Sequence, residues 1–81
     1  MELERAKEKV VSYLSNQPAK LTLDYAVPFR GMWVFFFKAE RRQRLAPLAV
    51  MEDGKIKQFN PIHFDYTDQE FAKAHRKRVN L

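Results

Sequence analysis

A chain of 81 residues has room for one domain, and a domain of that size buries only about 60–65% of the surface its unfolded chain exposes. It has no cysteine, which excludes disulfides and thiolate metal sites. The net charge is +5, and the excess lies in the second half: residues 1–40 hold six Lys/Arg against five Asp/Glu, residues 41–81 nine against five. That balance leans toward an acidic partner, whether nucleic acid or an acidic protein surface.

The opening segment "MELERAKEKV" is charged and periodic and lacks the apolar stretch of a signal peptide. The longest apolar run, Met32–Phe37, is far short of a membrane span. The expectation is a soluble, cytoplasmic protein with no membrane partner. Residues 2–16 read as an amphipathic helix. Leu3, Ala6, Val10, Tyr13 and Leu14 share one face, and Asn16 and Pro18 end the run. Residues 20–27, "KLTLDYAV", alternate. Leu21, Leu23, Tyr25 and Val27 point one way, and Pro28 to Gly31 make the turn.

Residues 32–38 form the second predicted strand, with Trp33, Phe35 and Phe37 on one face and Met32, Val34 and Phe36 on the other. Apolar residues on both faces predict a central strand. Residues 39–47, "AERRQRLAP", connect it to a third strand from Leu48, "LAVME". Asp53-Gly54 predicts a two-residue hairpin into a fourth strand, "KIKQF". "NPIHF" then pairs loosely or covers the core. Thr67 is an N-cap, Glu70 completes a capping box, and Tyr66 with Phe71 forms a hydrophobic staple. Asp68 and Glu70 begin that helix and Arg76, Lys77 and Arg78 end it, each sign suited to its end of the dipole, over about 68–78. The whole reads as a single α+β domain over 1–81, α-β-β-β-β-α. Its four-stranded antiparallel sheet is flanked by N-terminal and C-terminal helices.

Few residues are arranged for chemistry. No nucleophile–base pair, glycine-rich phosphate loop or paired carboxylates stand out, so no catalytic residue and no cofactor is assigned and the chain is expected not to be an enzyme. His63, Asp65, Asp68 and Glu70 lie close in sequence, but Asp68 and Glu70 already have helix-start roles, so no metal site is assigned. His75 falls on the last helix, either partly buried or near its end. "RGMWVFFF" shares only Arg30, Gly31 and Phe37 with the strand motif by which RNA-recognition domains stack bases, and the helix-first order does not suit that fold. A double-stranded-RNA-binding domain would grip phosphates at the start of its last helix, whereas here the cations lie at its end.

The aromatic strand allows two readings. Its faces are both core, meeting helices on one side and the curl of the sheet with "NPIHF" on the other. Alternatively the two helices cover one face only, and part of Trp33, Phe35 and Phe37 is left as a partner or dimer surface. Arg41, Arg42 and Arg44 are likewise either a solvated connector or an anion-gripping loop. Together these six residues are the candidate partner-binding set, with Arg76, Lys77 and Arg78 as a secondary basic patch.

"RAKEKVVSYL", an alternating strand, "GMWVFFFKA" and "APLAVMEDGKI" together resemble the small YrhB-type immunity domains of bacterial polymorphic toxin systems. Gly31, Trp33, Phe35 and Phe37 match that family's glycine followed by a Trp/Phe strand, with Met32 inserted. Pro47, Val50, Asp53 and Gly54 match its later apolar strand and glycine turn, and the likeness covers about 3–59. The resemblance implies a bacterial, cytoplasmic inhibitor that occludes a cognate toxin or enzyme stoichiometrically. The family's connector is longer, acidic and glycine-containing, whereas 39–47 is basic here, so the partner surface implied is acidic. A basic nucleic-acid-binding protein with weak, salt-sensitive affinity and a structural homodimer are the alternatives.

Overall fold

The computed structural model describes residues 1–16, 22–38, 46–60 and 65–81. Helix α1 (Leu3–Ser15) is followed by β1 (Leu23–Phe29), β2 (Met32–Phe37), β3 (Leu48–Val50) and β4 (Ile56–Gln58), then helix α2 (Asp68–His75) and β5 (Val79–Asn80). The α+β class and the two helices agree with the expectation. Among the described residues the sheet has five strands rather than four, in the order β4-β3-β2-β1-β5 with every neighbour antiparallel. The added strand comes from 79–80, after a helix that ends at His75 rather than near 78.

β2 lies in the middle of the sheet, as its two apolar faces require. Each face is covered by its own helix, so both faces of β2 are core and the alternative reading, with one face left open, does not hold. On one side Ala6 and Val10 of α1 pack on Ala26, Phe35 and Val50, with Leu3, Leu14, Leu23, Trp33 and Ile56 around them. On the other, Val27, Phe29, Met32, Val34, Ala49 and Phe59 form the core under Tyr66, Phe71 and Ala74. Tyr13, expected on the buried stripe of α1, is exposed at its edge.

The alternation predicted for β1 fails at one residue. Leu23 pairs with Phe37 and Tyr25 with Phe36, so Asp24 is an extra residue in a bulge. Leu23 consequently joins the α1 side while Tyr25 and Val27 join the α2 side. β1 also runs further than expected, through Pro28 to Phe29, and turns on Arg30 and Gly31 alone. Both turn residues have positive φ, 48° and 76°, as the tightest right-twisted hairpin demands.

The second hairpin differs in the opposite sense. The Met51 N–H donates to the Lys55 carbonyl at 2.8 Å and the Gly54 N–H to the Met51 carbonyl at 2.9 Å, which makes a three-residue loop, Glu52-Asp53-Gly54. Only Gly54 is left-handed there, φ 90°, and the Asp53 carboxylate accepts from the Lys55 N–H at 3.0 Å.

Candidate functional site

The aromatic candidates are placed unequally. Phe35 is fully buried (0% exposed) beneath α1, which removes it from any docking surface. Trp33 and Phe37 are half-buried at opposite ends of β2. Trp33 pairs with Pro28 on one side and Val50 on the other, and its indole N–H donates to the Met1 carbonyl at 2.9 Å. Arg41, Arg42 and Arg44 lie outside the described residues, as does His63.

Glu70 has a role beyond the capping box that its position suggests, its carboxylate being favoured by the Thr67 backbone N–H as expected. Thr67 does cap α2, its hydroxyl accepting from the Glu70 N–H at 3.1 Å, and the staple rings of Tyr66 and Phe71 sit 5.6 Å apart. The Glu70 carboxylate, however, is held by a fork from Arg30, Nε to Oε1 at 2.8 Å and Nη2 to Oε2 at 2.7 Å. Arg30 Nη2 also donates to the Asp65 carbonyl at 2.8 Å, and the guanidinium lies 5.2 Å from the Phe29 ring centre. These hydrogen bonds hold the Glu70 carboxyl below the ordinary glutamate range, the Arg30 bond first and its charge next against partial desolvation, with a smaller contribution from the Thr67 backbone. The tip of the β1–β2 hairpin is thereby tied to the start of α2.

At the other end of α2 the cations are unopposed. Lys73, Arg76, Lys77 and Arg78 are all exposed. Among the described residues the ion pairs are Arg30–Glu70 and Lys55–Asp53, so none of these four has a carboxylate partner there. Their backbone closes the helix: the Arg76, Lys77 and Arg78 N–H groups donate to the carbonyls of Ala72, Ala74 and His75. His75 is half-buried, its Nε2 3.2 Å from the Tyr25 hydroxyl, and burial raises the Tyr25 pKa, helped by Asp24 and opposed by Arg78.

Pro28 explains why Lys77 stays in this turn. β5 pairs Asn80 with Tyr25 and Val79 with Ala26, and the Leu81 N–H donates to the Asp24 carbonyl at 3.0 Å. Two steps beyond Ala26 the same register would set Lys77 against Pro28 in a hydrogen-bonding pair, where proline has no N–H to give. The ladder stops, and Lys77 bonds back to Ala74 at 2.9 Å instead. A hollow of about 290 Å³ remains beside this edge, lined by Pro28, Phe29, Arg30, Glu70, Lys73, Ala74 and Lys77. A second, of about 340 Å³, lies across the hairpin and shares Pro28, Phe29, Arg30 and Lys77 with it while adding Trp33 and Glu52. Trp33 and Lys77, from two separate sequence candidates, thus line one depression.

A groove of about 870 Å³ runs between α1 and the β3–β4 turn. Its charges are Arg5 and Lys9 against Glu8, Glu52 and Asp53, so it favours neither sign. The α2 end instead presents the exposed cations Lys73, Arg76, Lys77 and Arg78, with no ion-pair partner among the described residues. Lys73 and the Pro28 edge were not singled out in the sequence. The available signal was a proline inside a strand that should pair on both sides. Among the described residues no helix is long and apolar enough to cross a membrane.

No family model matches the chain. No curated protein and no solved structure matches it either.

Proposed function

We propose that the chain is a non-enzymatic protein-binding module that occludes an acidic surface of its partner, as a toxin-immunity or inhibitor protein of a bacterial cytoplasm would. The observation that carries this reading is the group Lys73, Arg76, Lys77 and Arg78, exposed and without carboxylate partners among the described residues. Such a one-signed surface steers an acidic partner and speeds encounter. Trp33, half-buried at the adjoining depression, supplies the aromatic type that dominates interface energy. Phe37, at the far end of β2, and the connector cations Arg41, Arg42 and Arg44, which lie outside the described residues, belong to the proposed surface. Phe35 does not.

The experiment is co-expression with the product of an adjoining toxin-like reading frame. A one-to-one complex should form, and reversing Arg76, Lys77 and Arg78 to Glu should slow its association and weaken its salt dependence while the fold is kept. A complex indifferent to that reversal, and to reversal of Arg41, Arg42 and Arg44, refutes the surface. The same cations also favour nucleic acid. That reading gains if labelled DNA or RNA binds without sequence preference and releases steeply as salt rises. A dimer that persists on dilution supports the structural-homodimer alternative.

A further inference from the structure

The hollow beside Pro28 has a composition that the rest of the basic end lacks. Its floor is apolar, from Pro28, Phe29 and Ala74. Lys73 and Lys77 stand on its rim, and the Glu70 carboxylate, the acid of the same lining, is engaged by Arg30. At about 290 Å³ it falls at the lower limit of the roughly 300–1,000 Å³ typical of small-molecule sites. One side chain with its neighbours suits it better than a cofactor. It also lies along the edge of β1 where the β5 ladder stops at Pro28, so a segment entering it is held by side chains rather than by a ladder to an N–H that proline lacks.

We propose that this hollow receives an apolar side chain flanked by carboxylates, carried on an extended segment of a partner protein. The apolar group sits on Pro28 and Ala74, and the carboxylates before and after it meet Lys73 and Lys77. The second hollow, across the hairpin, offers Lys77 but sets Glu52 in its lining, whereas the α2 side has both Lys73 and Lys77 and its acid is engaged by Arg30, which sets the segment there. This rests on the protein-binding reading above and names the chemistry of the partner segment.

Short synthetic peptides test it directly. One carries a central Leu between Asp and Glu residues. A second has Ser in place of the Leu, and a third has Lys in place of the acids. Trp33 is the only tryptophan in the chain and shares Lys77 with the site, so its emission reports binding. Amide shifts of Phe29, Ala74 and Lys77 locate it. The Leu peptide is expected to bind, the Ser peptide roughly tenfold or more weaker because the apolar burial is lost, and the Lys peptide not at all. Lys73→Gln with Lys77→Gln should abolish binding, while Arg76→Gln with Arg78→Gln should weaken it only slightly. Circular dichroism checks that both pairs fold.

Equal binding of the Leu and Ser peptides, with both Gln pairs equally harmful, overturns the hollow and leaves the basic surface standing. Shifts confined to residues away from Phe29, Ala74 and Lys77 overturn it too. If no acidic peptide binds while a partner complex still depends on Arg76–Arg78, the hollow alone is refuted. If the complex is also indifferent to those arginines, both readings fall.

Discussion

The two faces of the sheet are closed by different means. Under α1 the contacts are small and dry. Ala6 and Ala26, both fully buried, let the helix come close, and Phe35 fills the space between Val10 and Val50. Over the other face α2 buries none of its own residues completely. It is held by rings: Phe29, Phe36, Phe59, Tyr66 and Phe71 meet edge-on, tilted or stacked at 5.1–6.0 Å, and Tyr25 stacks on Phe36 at 4.7 Å. A polar layer supplements the rings, comprising the Thr67 cap, the Arg30–Glu70 fork and the His75–Tyr25 contact. The firmer helix presents a groove of mixed charge. The helix held by rings and polar ties carries the basic end, as recognition surfaces on less deeply packed elements commonly do.

Large-to-small substitution separates the two faces most strongly. Phe35→Ala should lose about 3–5 kcal/mol, since the side chain is wholly buried and its neighbours are too small to collapse into the void. Phe71→Ala, half-buried and ringed by side chains that can tilt, should lose roughly 2 kcal/mol. Urea melts of the two variants give the comparison. Equal losses would mean that the aromatic side is as tightly closed as the aliphatic one, and the contrast drawn above would fail.

The polar layer is the next target. Thr67→Ala should cost about 0.5–2 kcal/mol, because the Glu70 N–H loses its acceptor at the first turn of an eight-residue helix. Thr67→Ser should be close to neutral. Hydrogen exchange sharpens the test: the Ala variant should exchange faster in α2 while α1 is unchanged. Faster exchange in both helices would show that the faces unfold as one unit.

Much of this arrangement was legible in the chain. The α1 stripe of Ala6 and Val10, the central position of β2 and the cap and staple at Tyr66, Thr67 and Phe71 are local patterns, and local patterns set local structure. What depends on distant partners was not. The bulge at Asp24 leaves the apolar alternation intact on paper but moves Leu23 to the other face. β5 is two residues long, too short for any periodicity to announce it. Covering of both faces of β2 was read as one of two possibilities, and the docking role given to Phe35 rested on the other. Lys77 was identified only as part of a charge run, because its place beside Pro28 arises from the register of β5 on β1, a strand about fifty residues earlier in the chain. The connector cations Arg41, Arg42 and Arg44 lie outside the described residues, so their half of the candidate surface remains a sequence-based proposal.

The smallest effect lies at Arg30, where a favourable contact coincides with an unfavourable backbone. Arg30 adopts φ 48°, a left-handed conformation costing a residue with a Cβ roughly 1–2 kcal/mol. The fork to Glu70 and the Asp65 carbonyl offsets part of that cost. Arg30→Ala and Arg30→Gly both lose the fork, but only the alanine variant keeps the strain, so the glycine variant should be the more stable by about 1 kcal/mol. The ion pair itself is about two-fifths exposed on each side, so water and salt screen it. Its contribution has a definite pH sign. The Glu70 carboxyl is held low by Arg30, so the folded state gains from the pair at pH above the ordinary glutamate value, and the gain disappears as pH falls through the lowered folded value. Thermal melts of the wild type and Glu70→Gln from neutral to acid pH should therefore converge on the acid side. Curves that stay parallel would show that Glu70 acts through its uncharged contacts with the helix start. In the Arg30→Gly background the same Glu70→Gln change should lose most of its pH dependence, because the partner that lowers the carboxyl is already gone.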